Sequence, residues 1–173
     1  SDIALLNPTK TGYTFGGYYT SKNGAGTQYY TATGASAKNW NIASATTLYA
    51  KWTEVTYTIS YTMNSGSWTS GYTSPASYNI TLSVTLPTAE NIVRTGYTFA
   101  GWYTSSDFSG SAVTSIATGS TGNKTFYAKW TANTYTVTLD KQSGTGGTSS
   151  VTATYDTAMP AITQPTRTGY TFN

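Results

Sequence analysis

The side chains that could carry acid-base or metal chemistry are few in this sequence and lie far apart. The 173 residues contain no histidine and no cysteine. The usual general base, thiol nucleophiles, disulfides and thiolate metal sites are therefore all missing. Only six carboxylates remain, and the two closest in sequence are sixteen positions apart: Asp2, Glu54, Glu90, Asp107, Asp140 and Asp156. That spacing gives neither a catalytic carboxylate pair nor a calcium loop. The sequence thus predicts a protein that is not an enzyme and that uses no cofactor and no metal.

The charge pattern argues against nucleic acid and membrane as partners. Nine Lys and Arg against six Asp and Glu give a net charge of +3, spread over the whole chain without two adjacent basic residues. Phosphate binding needs a clustered basic stripe. No apolar run approaches the roughly 20 residues that span a bilayer. The start, Ser1-Asp2, resembles neither an initiator methionine nor a secretion signal, which favours a mature or excised segment.

Aromatic rings are the remaining chemical resource, with five Trp and sixteen Tyr. Flat rings stack on sugars, so Trp40, Trp68 and Trp102 are candidate surface contacts for a carbohydrate-binding module. Trp40 and Trp68 lie in polar, loop-like stretches, which makes them the best of the three. The competing interpretation is that most aromatic side chains build a small core, as large rings commonly do.

Two strings of residues recur along the chain. Thr11-Gly12-Tyr13-Thr14-Phe15 returns at 95–99 and 168–172. Leu48-Tyr49-Ala50-Lys51-Trp52-Thr53 returns 78 positions later at 126–131, with Phe126 in place of Leu48. The Tyr57-Thr58-Ile59 string that follows returns as Tyr135-Thr136-Val137 with the same shift of 78. A common shift indicates a repeat of about that length. We therefore divide the chain into the second half of a first copy (1–53), a complete middle copy (54–131) and the first half of a third copy (132–173).

Within a copy the apolar side chains alternate with period 2, the pattern of a strand with one packed face. Tyr57, Ile59, Tyr61 and Met63 share one face, and Tyr78, Ile80, Leu82 and Val84 suggest a second strand. The stretch 112–118 is the only one that could form a short helix, which Gly119 would end. The expected fold class is mostly β, α+β at most.

These strings resemble the Listeria/Bacteroides repeat, the B-repeat of internalin-type bacterial surface proteins. The marks are Gly-Tyr-Thr-Phe-x-Gly-Trp/Tyr-Tyr-Thr at 96–104 and Phe-Tyr-Ala-Lys-Trp-Thr at 126–131, although the first copy has Tyr18 where the middle copy has Trp102. The resemblance implies small β-grasp-like (ubiquitin-like) units in a tandem, elongated array. It also implies an extracellular, cell-surface location and a role as spacer or adhesion module without catalytic residues. The structural signature comprises Gly12, Tyr13, Phe15, Trp52, Gly96, Tyr97, Phe99, Gly101, Lys129, Trp130, Gly169, Tyr170 and Phe172.

The links between copies are short, because only four residues separate Trp52 from Tyr57, and Trp130 from Tyr135. Such links are too short for free swivelling and favour a stiff spacer. The expected partners are neighbouring repeats or subunits of the same protein, and a host or microbial surface protein or glycan. The two half-copies leave strand edges open. Either the chain is cut from a longer array, or its copies complete one another by strand donation into a filament.

Overall fold

The structure is a computed structural model that describes residues 8–172. It confirms a mostly β fold, because the described chain consists of short strands and turns with a single 3-10 turn at Lys22–Gly24. In chain order the strands are β1 Tyr13–Tyr19, β2 Gln28–Tyr30, β3 Tyr49–Glu54, β4 Tyr57–Thr62, β5 Ser67–Trp68, β6 Ser77–Tyr78, β7 Val84–Thr85, β8 Ile92–Val93, β9 Tyr97–Tyr103, β10 Ser115–Ile116, β11 Lys124–Ala132, β12 Thr134–Thr138 and β13 Ser150–Thr154.

The chain divides into two compact units that do not coincide with the copies. The first unit contains the residues up to Ser60 together with Pro75–Thr85 and Ser115–Lys124. The second contains Tyr61–Ser74, Leu86–Thr114 and the residues from Thr125 onward. Each unit therefore includes one of the two links between copies. The copy boundaries 1–53, 54–131 and 132–173 describe the sequence repeat and stay a prediction.

The first unit is built on an antiparallel sheet of order β2-β1-β3, which leaves β3 at an edge. Phe15 lies opposite Trp52, and the register shifts between Phe15 and Tyr18, where Gly17 has φ +102°. Two further antiparallel pairs, β4 with β6 and β7 with β10, complete the unit. Its buried apolar side chains are Tyr29, Ile59, Tyr78 and Ile116.

In the second unit, β11 pairs antiparallel with β9, and the end of β4 lies on the other side of β11. β5 and β8 form one two-stranded antiparallel sheet, and β12 and β13 form another. The register of β9 and β11 shifts next to Gly101, which has φ +122°. The core consists of Leu86, Ile92, Trp102, Phe126 and Ala128.

Two expectations about local structure are wrong. The stretch 112–118 is extended rather than helical, with Val113 N–H bonded to Trp102 O at 2.8 Å and Ser115–Ile116 in β10. Its β-branched residues favour the extended form. The strand expected over Tyr78–Val84 ends at Tyr78, because the Asn79 side chain accepts from the Thr81 N–H at 3.0 Å and bends the chain. Leu82 is consequently 50% exposed.

Candidate functional site

The closing strand β11 seats a tryptophan in a shaped recess of the second unit. The Trp130 indole N–H donates to the Met63 carbonyl at 2.9 Å, and its ring lies 5.4 Å from the Phe99 ring. Gly66 leaves the room for the indole, since a methyl group there would lie 2.3 Å from the Trp130 ring. We call the Met63 carbonyl, Gly66 and Phe99 the tryptophan socket. A larger residue at Gly66 is incompatible with the seated ring.

A tight turn frames the tryptophan socket. Asn64 and Ser65 have φ +49° and +67°, and the Gly66 N–H closes the turn on the Met63 carbonyl at 3.0 Å. The Asn64 amide donates to Ala128 O at 2.8 Å, and the Arg94 guanidinium donates to Asn64 O at 3.3 Å. The frame therefore holds β11 through its backbone as well as through Trp130.

An aromatic cluster lies beside the socket in the same unit. The Tyr61 ring lies 5.0 Å from Trp102 and 5.2 Å from Trp68, and the Trp102 indole N–H donates to Pro87 O at 2.7 Å. Burial, with a smaller contribution from neighbouring Tyr72, raises the pKa of Tyr61 to about 12. Within the described residues the buried Tyr61 hydroxyl has no hydrogen-bond partner. The cluster thus has the packing of a core, and one of its polar atoms is unsatisfied.

The three tryptophans predicted as surface contacts have different environments. Trp102 is only 1% exposed, so the expectation that it faces solvent is wrong: its ring fills the core between Tyr61, Phe99 and Trp68. Trp68 is half-buried in the same cluster. Trp40 is 51% exposed, and its ring centroid lies 4.8 Å from that of Tyr29. Ligand contact by Trp40 or Trp68 stays a prediction.

The Gly-Tyr-Thr-Phe signature forms the same turn in every copy. Gly12, Gly96 and Gly169 have φ +76°, +77° and +80°, a region of backbone conformation that glycine adopts without steric cost. The tyrosine N–H bonds back to the basic residue three positions earlier, whose cation lies over the tyrosine ring. The three pairs are Lys10 with Tyr13 (3.8 Å), Arg94 with Tyr97 (3.6 Å) and Arg167 with Tyr170 (4.1 Å).

The link between the first and middle copies lies inside the first unit and is held by both copies. The Val55 N–H donates to the Gly12 carbonyl at 2.9 Å, and the Asn79 amide donates to the Glu54 carboxylate at 2.5 Å. Gly12 faces the Ile80 side chain, so closely that a methyl group on Gly12 would lie 2.5 Å from it. This link is a packed joint rather than a free tether.

The link between the middle and third copies repeats that construction inside the second unit. The Asn133 N–H donates to Gly96 O at 2.9 Å, and Asn133 O accepts from the Tyr155 N–H at 2.8 Å. The Tyr155 ring covers Gly96 and lies 5.6 Å from Tyr97, whose hydroxyl donates to the Asp156 carboxylate at 3.3 Å. Val55 and Asn133 occupy the same place in the repeat, 78 positions apart.

The sequence predicted these links but not the residues that bond to them. Tyr155 and Asp156 repeat Tyr78 and Asn79 at a shift of 77. That Tyr-Asn/Asp recurrence is the signal that could have identified them. Lys129 on β11 and Lys51 on β3 contact aromatic rings, with Lys129 Nζ 5.0 Å from the Tyr103 ring and Lys51 Nζ 5.8 Å from the Tyr19 ring.

The carboxylates of the described residues matter as possible metal ligands and for their local bonds. Over residues 8–172 no three of them come together where a metal ion could bind. The pKa of Asp107 is lowered to about 2, first by the Ser105 hydroxyl and then by the Ser109 N–H, which both donate to its carboxylate. Those bonds make a local turn. Asp2 lies outside the described residues.

The repeated turns and joints define a tandem-repeat protein, and the comparisons identify its family. The chain belongs to the Listeria-Bacteroides repeat family, whose model matches residues 1–51, 57–129 and 135–173. No solved structure matches the chain. No helix within residues 8–172 is long and apolar enough to cross a bilayer.

Relatives carry the repeat within much longer proteins. A protein of Evansella cellulosilytica named as a Gly-rich membrane protein is 32% identical over 170 residues, which cover 96% of this chain and 19% of the relative. Internalin H of Listeria monocytogenes is 38% identical over 128 residues, 73% of this chain and 20% of the relative. A second Evansella cellulosilytica membrane protein is 31% identical over 132 residues, 73% of this chain and 18% of that protein. The chain thus spans about a fifth of the length of these relatives.

Proposed function

We propose that this chain is a non-catalytic structural and adhesive segment of an extracellular, cell-surface bacterial protein, in which tandem β-grasp-like copies form a stiff spacer. Membership of the family supports the placement, since relatives are named as membrane proteins and as an internalin. The observation that carries the spacer role is the construction of the joints. In both, the link residue is bonded to the preceding copy by its N–H.

The β-grasp-like form of the copy draws support from strand neighbours in each unit. The first strand of the middle copy, β4, pairs with β6 in the first unit. In the second unit the end of β4 lies beside β11, the last strand of the copy. First and last strands that are neighbours in the middle of a sheet are what a β-grasp-like unit requires.

Stiffness at a joint follows from the number of constraints on a short link. Asn133 is bonded on one side to Gly96 and on the other to Tyr155, and the Thr98 hydroxyl bonds to its side chain at 2.6 Å. A rotation of the third copy about this link would break these bonds and separate Tyr155 from Gly96. A free linker of the same length would oppose no such rotation.

The test exploits the absence of native cysteine. Ser111→Cys and Thr152→Cys, on either side of the second joint, accept paired spin labels for a pulsed dipolar distance measurement. We expect one narrow distance distribution. Inserting three glycines after Ala132 should broaden it, whereas the same insertion after Gly146, in a turn of the third copy, should not. A broad distribution in the uninterrupted chain would overturn the spacer proposal.

Carbohydrate binding is the second candidate, and exposure of Trp40 and Tyr30, at 51% and 42%, is what favours it. It has less support, because the other two tryptophans considered lie in the aromatic cluster. Saturable binding on a glycan array that Trp40→Ala removes, and Trp68→Ala leaves intact, would establish this function.

A further inference from the structure

Phe108 has a backbone conformation that a bulky side chain rarely adopts. Its φ is +60°, in the left-handed region where residues other than glycine are strained. The Phe108 N–H donates to Ser105 O at 3.2 Å, and the Asp107 carboxylate accepts from the Ser105 hydroxyl at 2.7 Å and from the Ser109 N–H at 2.9 Å. These bonds hold Phe108 in the strained conformation.

The first copy has a glycine where the middle copy has Phe108. Gly24 lies 84 positions earlier, the shift that also relates the Gly-Tyr-Thr-Phe strings of these two copies, and its φ is +75°. Because glycine takes this conformation without strain, the turn itself does not require a phenyl ring. The reason for the ring at position 108 therefore lies in what it contacts.

The Phe108 ring belongs to an aromatic and cationic face of the second unit. Tyr127 on β11 lies opposite Tyr103 on β9, on the face of the sheet away from the buried Trp102. The Phe108 ring lies 5.7 Å from the Tyr103 ring, and Lys129 Nζ lies 5.0 Å from the Tyr103 ring and 5.8 Å from the Phe108 ring. Phe108, Tyr103 and Tyr127 are half-buried, so part of each side chain is open to solvent.

A cleft of about 520 Å³ opens beside the Phe108 ring, a volume within the range of small-molecule sites. Its lining includes Thr62, Asn64, Arg94, Ser106, Phe108 and Tyr127, and among the described residues no carboxylate. All of them lie in the second unit and within the complete middle copy, 54–131. The Arg94 guanidinium is held by Asn64 O at 3.3 Å and by the Tyr97 ring at 3.6 Å. That hydrogen bond uses one of its five N–H donors, so others can reach a ligand.

The charges around the cleft favour an anionic ligand. Arg94 lines it, and Lys129 lies beside the Phe108 ring. Asp107, the adjacent acid in the sequence, has its carboxylate bonded within its own loop. A guanidinium binds a carboxylate through paired N–H donors, whereas nucleic acid needs a longer row of cations. The cleft therefore suits a ligand with a single carboxylate.

The other lining groups favour a sugar over a peptide. Phe108 and Tyr127 carry flat rings, and Thr62, Asn64 and Ser106 carry hydroxyl and amide groups that can bond to sugar hydroxyls. An extended peptide commonly binds by adding a strand to an open sheet edge. β11, which supplies Tyr127, already has β4 and β9 on its two sides. The cleft thus offers side chains rather than free backbone.

We propose that this cleft binds an acidic sugar unit of a glycan. Arg94 would bond to the sugar carboxylate, Phe108 and Tyr127 would pack against the sugar ring, and Lys129 would add positive charge beside it. The strain at Phe108 then places an aromatic ring where the ligand lies. The inference rests on the adhesive part of the proposed function and deepens it by naming the ligand class and the site.

Titration of the isotope-labelled chain, followed by its amide resonances, tests the inference. The probes are two acidic sugars with neutral partners: sialyllactose with lactose, and a hyaluronan tetrasaccharide with chitotetraose. With at least one acidic probe we expect shifts confined to Asn64, Ser106, Phe108 and their neighbours, at a dissociation constant of about 1 mM or lower. Its neutral partner should bind about tenfold more weakly. Raising NaCl from about 0.05 to 0.5 M should weaken the acidic probe severalfold, because salt screens the charges.

Phe108→Gly is the decisive variant, because glycine takes the φ of this turn without strain, as Gly24 does. It should keep the amide spectrum away from the loop and weaken the acidic probe about tenfold. Arg94→Gln should reduce binding of the acidic probe to that of its neutral partner. If Arg94→Gln changes the spectrum beyond the cleft, the salt dependence carries the test of charge. Trp40→Ala, in the first unit, should change nothing.

Several results would overturn the inference. They are an absence of shifts at these amides with both acidic probes, equal binding of acidic and neutral partners, and binding that Phe108→Gly leaves intact. Equal or tighter binding of a glutamate tetrapeptide would assign the cleft to acidic peptides instead. Binding that only Trp40→Ala removes would support the second candidate function. The spin-label measurement is independent of these titrations, so a narrow distance distribution with an unliganded cleft would leave the spacer proposal standing.

Discussion

The middle and third copies share a tight turn, and among the described residues a tryptophan is seated on that turn in the middle copy alone. The frame is local: Gly66 bonds to a carbonyl three residues away, and Gly144 does likewise. The occupant of the middle recess is distant, because Trp130 reaches Met63 across 67 positions. The comparison teaches that a short segment of this repeat forms its own frame, while closure depends on a strand from elsewhere in the sequence.

The difference in closure appears directly in the burial of the closing strands. Phe126 and Ala128 on β11 are 3% and 0% exposed, whereas their counterparts Leu48 and Ala50 are half-buried. Apolar area removed from water stabilises by roughly 25 cal/mol per Å². Among the described residues, β11 therefore contributes more buried apolar area to its unit than β3 does.

The largest effect should come from removing the seated indole. Trp130→Ala deletes a ring that packs on Phe99 and Gly66 and bonds to the Met63 carbonyl. We expect the free energy of unfolding of the second unit to fall by about 3 to 5 kcal/mol. Urea unfolding, followed by far-UV circular dichroism, measures the change.

Trp52→Ala is the matched control for that substitution. Its ring packs on Phe15, but among the described residues its indole N–H makes no hydrogen bond, so the loss should be roughly half as large. Equal losses at the two positions would contradict the contribution that we assign to the tryptophan socket.

The sequence predicted the repeat and the mostly β fold, because both can be recognised from short strings of neighbouring residues. The alternation of apolar and polar residues is enough to place Tyr57 and Ile59 on one face of a strand, whatever these side chains pack against. The seating of Trp130, the burial of Trp102 and the bonds of Tyr155 could not be predicted, since each depends on backbone atoms far along the chain. The short helix that the sequence allows at 112–118 does not form for the same reason, because the Val113 N–H bonds to Trp102 O.

The turn glycines Gly96 and Gly169 allow a second comparison between the middle and third copies. Here we expect a loss of unfolding free energy of intermediate size. Gly96 and Gly169 form the same turn, but a methyl group on Gly96 would lie 2.3 Å from the Tyr155 ring and one on Gly169 would meet nothing within 4 Å. Gly169→Ala should cost about 1 kcal/mol from positive φ alone. Gly96→Ala should cost about 1 to 2 kcal/mol more, because the ring must move.

Chemical unfolding of the two variants gives this difference, and the spin-label distance across the second joint gives its origin. Gly96→Ala should broaden the distance distribution, and Gly169→Ala should leave it narrow. If both variants lose the same free energy and keep a narrow distribution, the contact of Tyr155 with Gly96 contributes nothing to the joint.

The smallest effect concerns Tyr61, which has Leu139 as its counterpart in the third copy. Its pKa is raised above the usual value near 10 to about 12, chiefly by burial. Because the unfolded chain then releases this proton first, the stabilisation is complete below about pH 10 and is lost as the pH rises toward 12. Tyr61→Phe should reduce the loss of stability at alkaline pH. Part of that loss should remain, because burial also raises the pKa of Tyr78.

At neutral pH the variant should differ from the parent by less than about 1 kcal/mol in unfolding free energy, since the hydroxyl it removes has no partner among the described residues. Urea unfolding at pH 8, 10 and 11 measures both effects, and parallel pH profiles for parent and variant would show that Tyr61 is not desolvated in the closed copy.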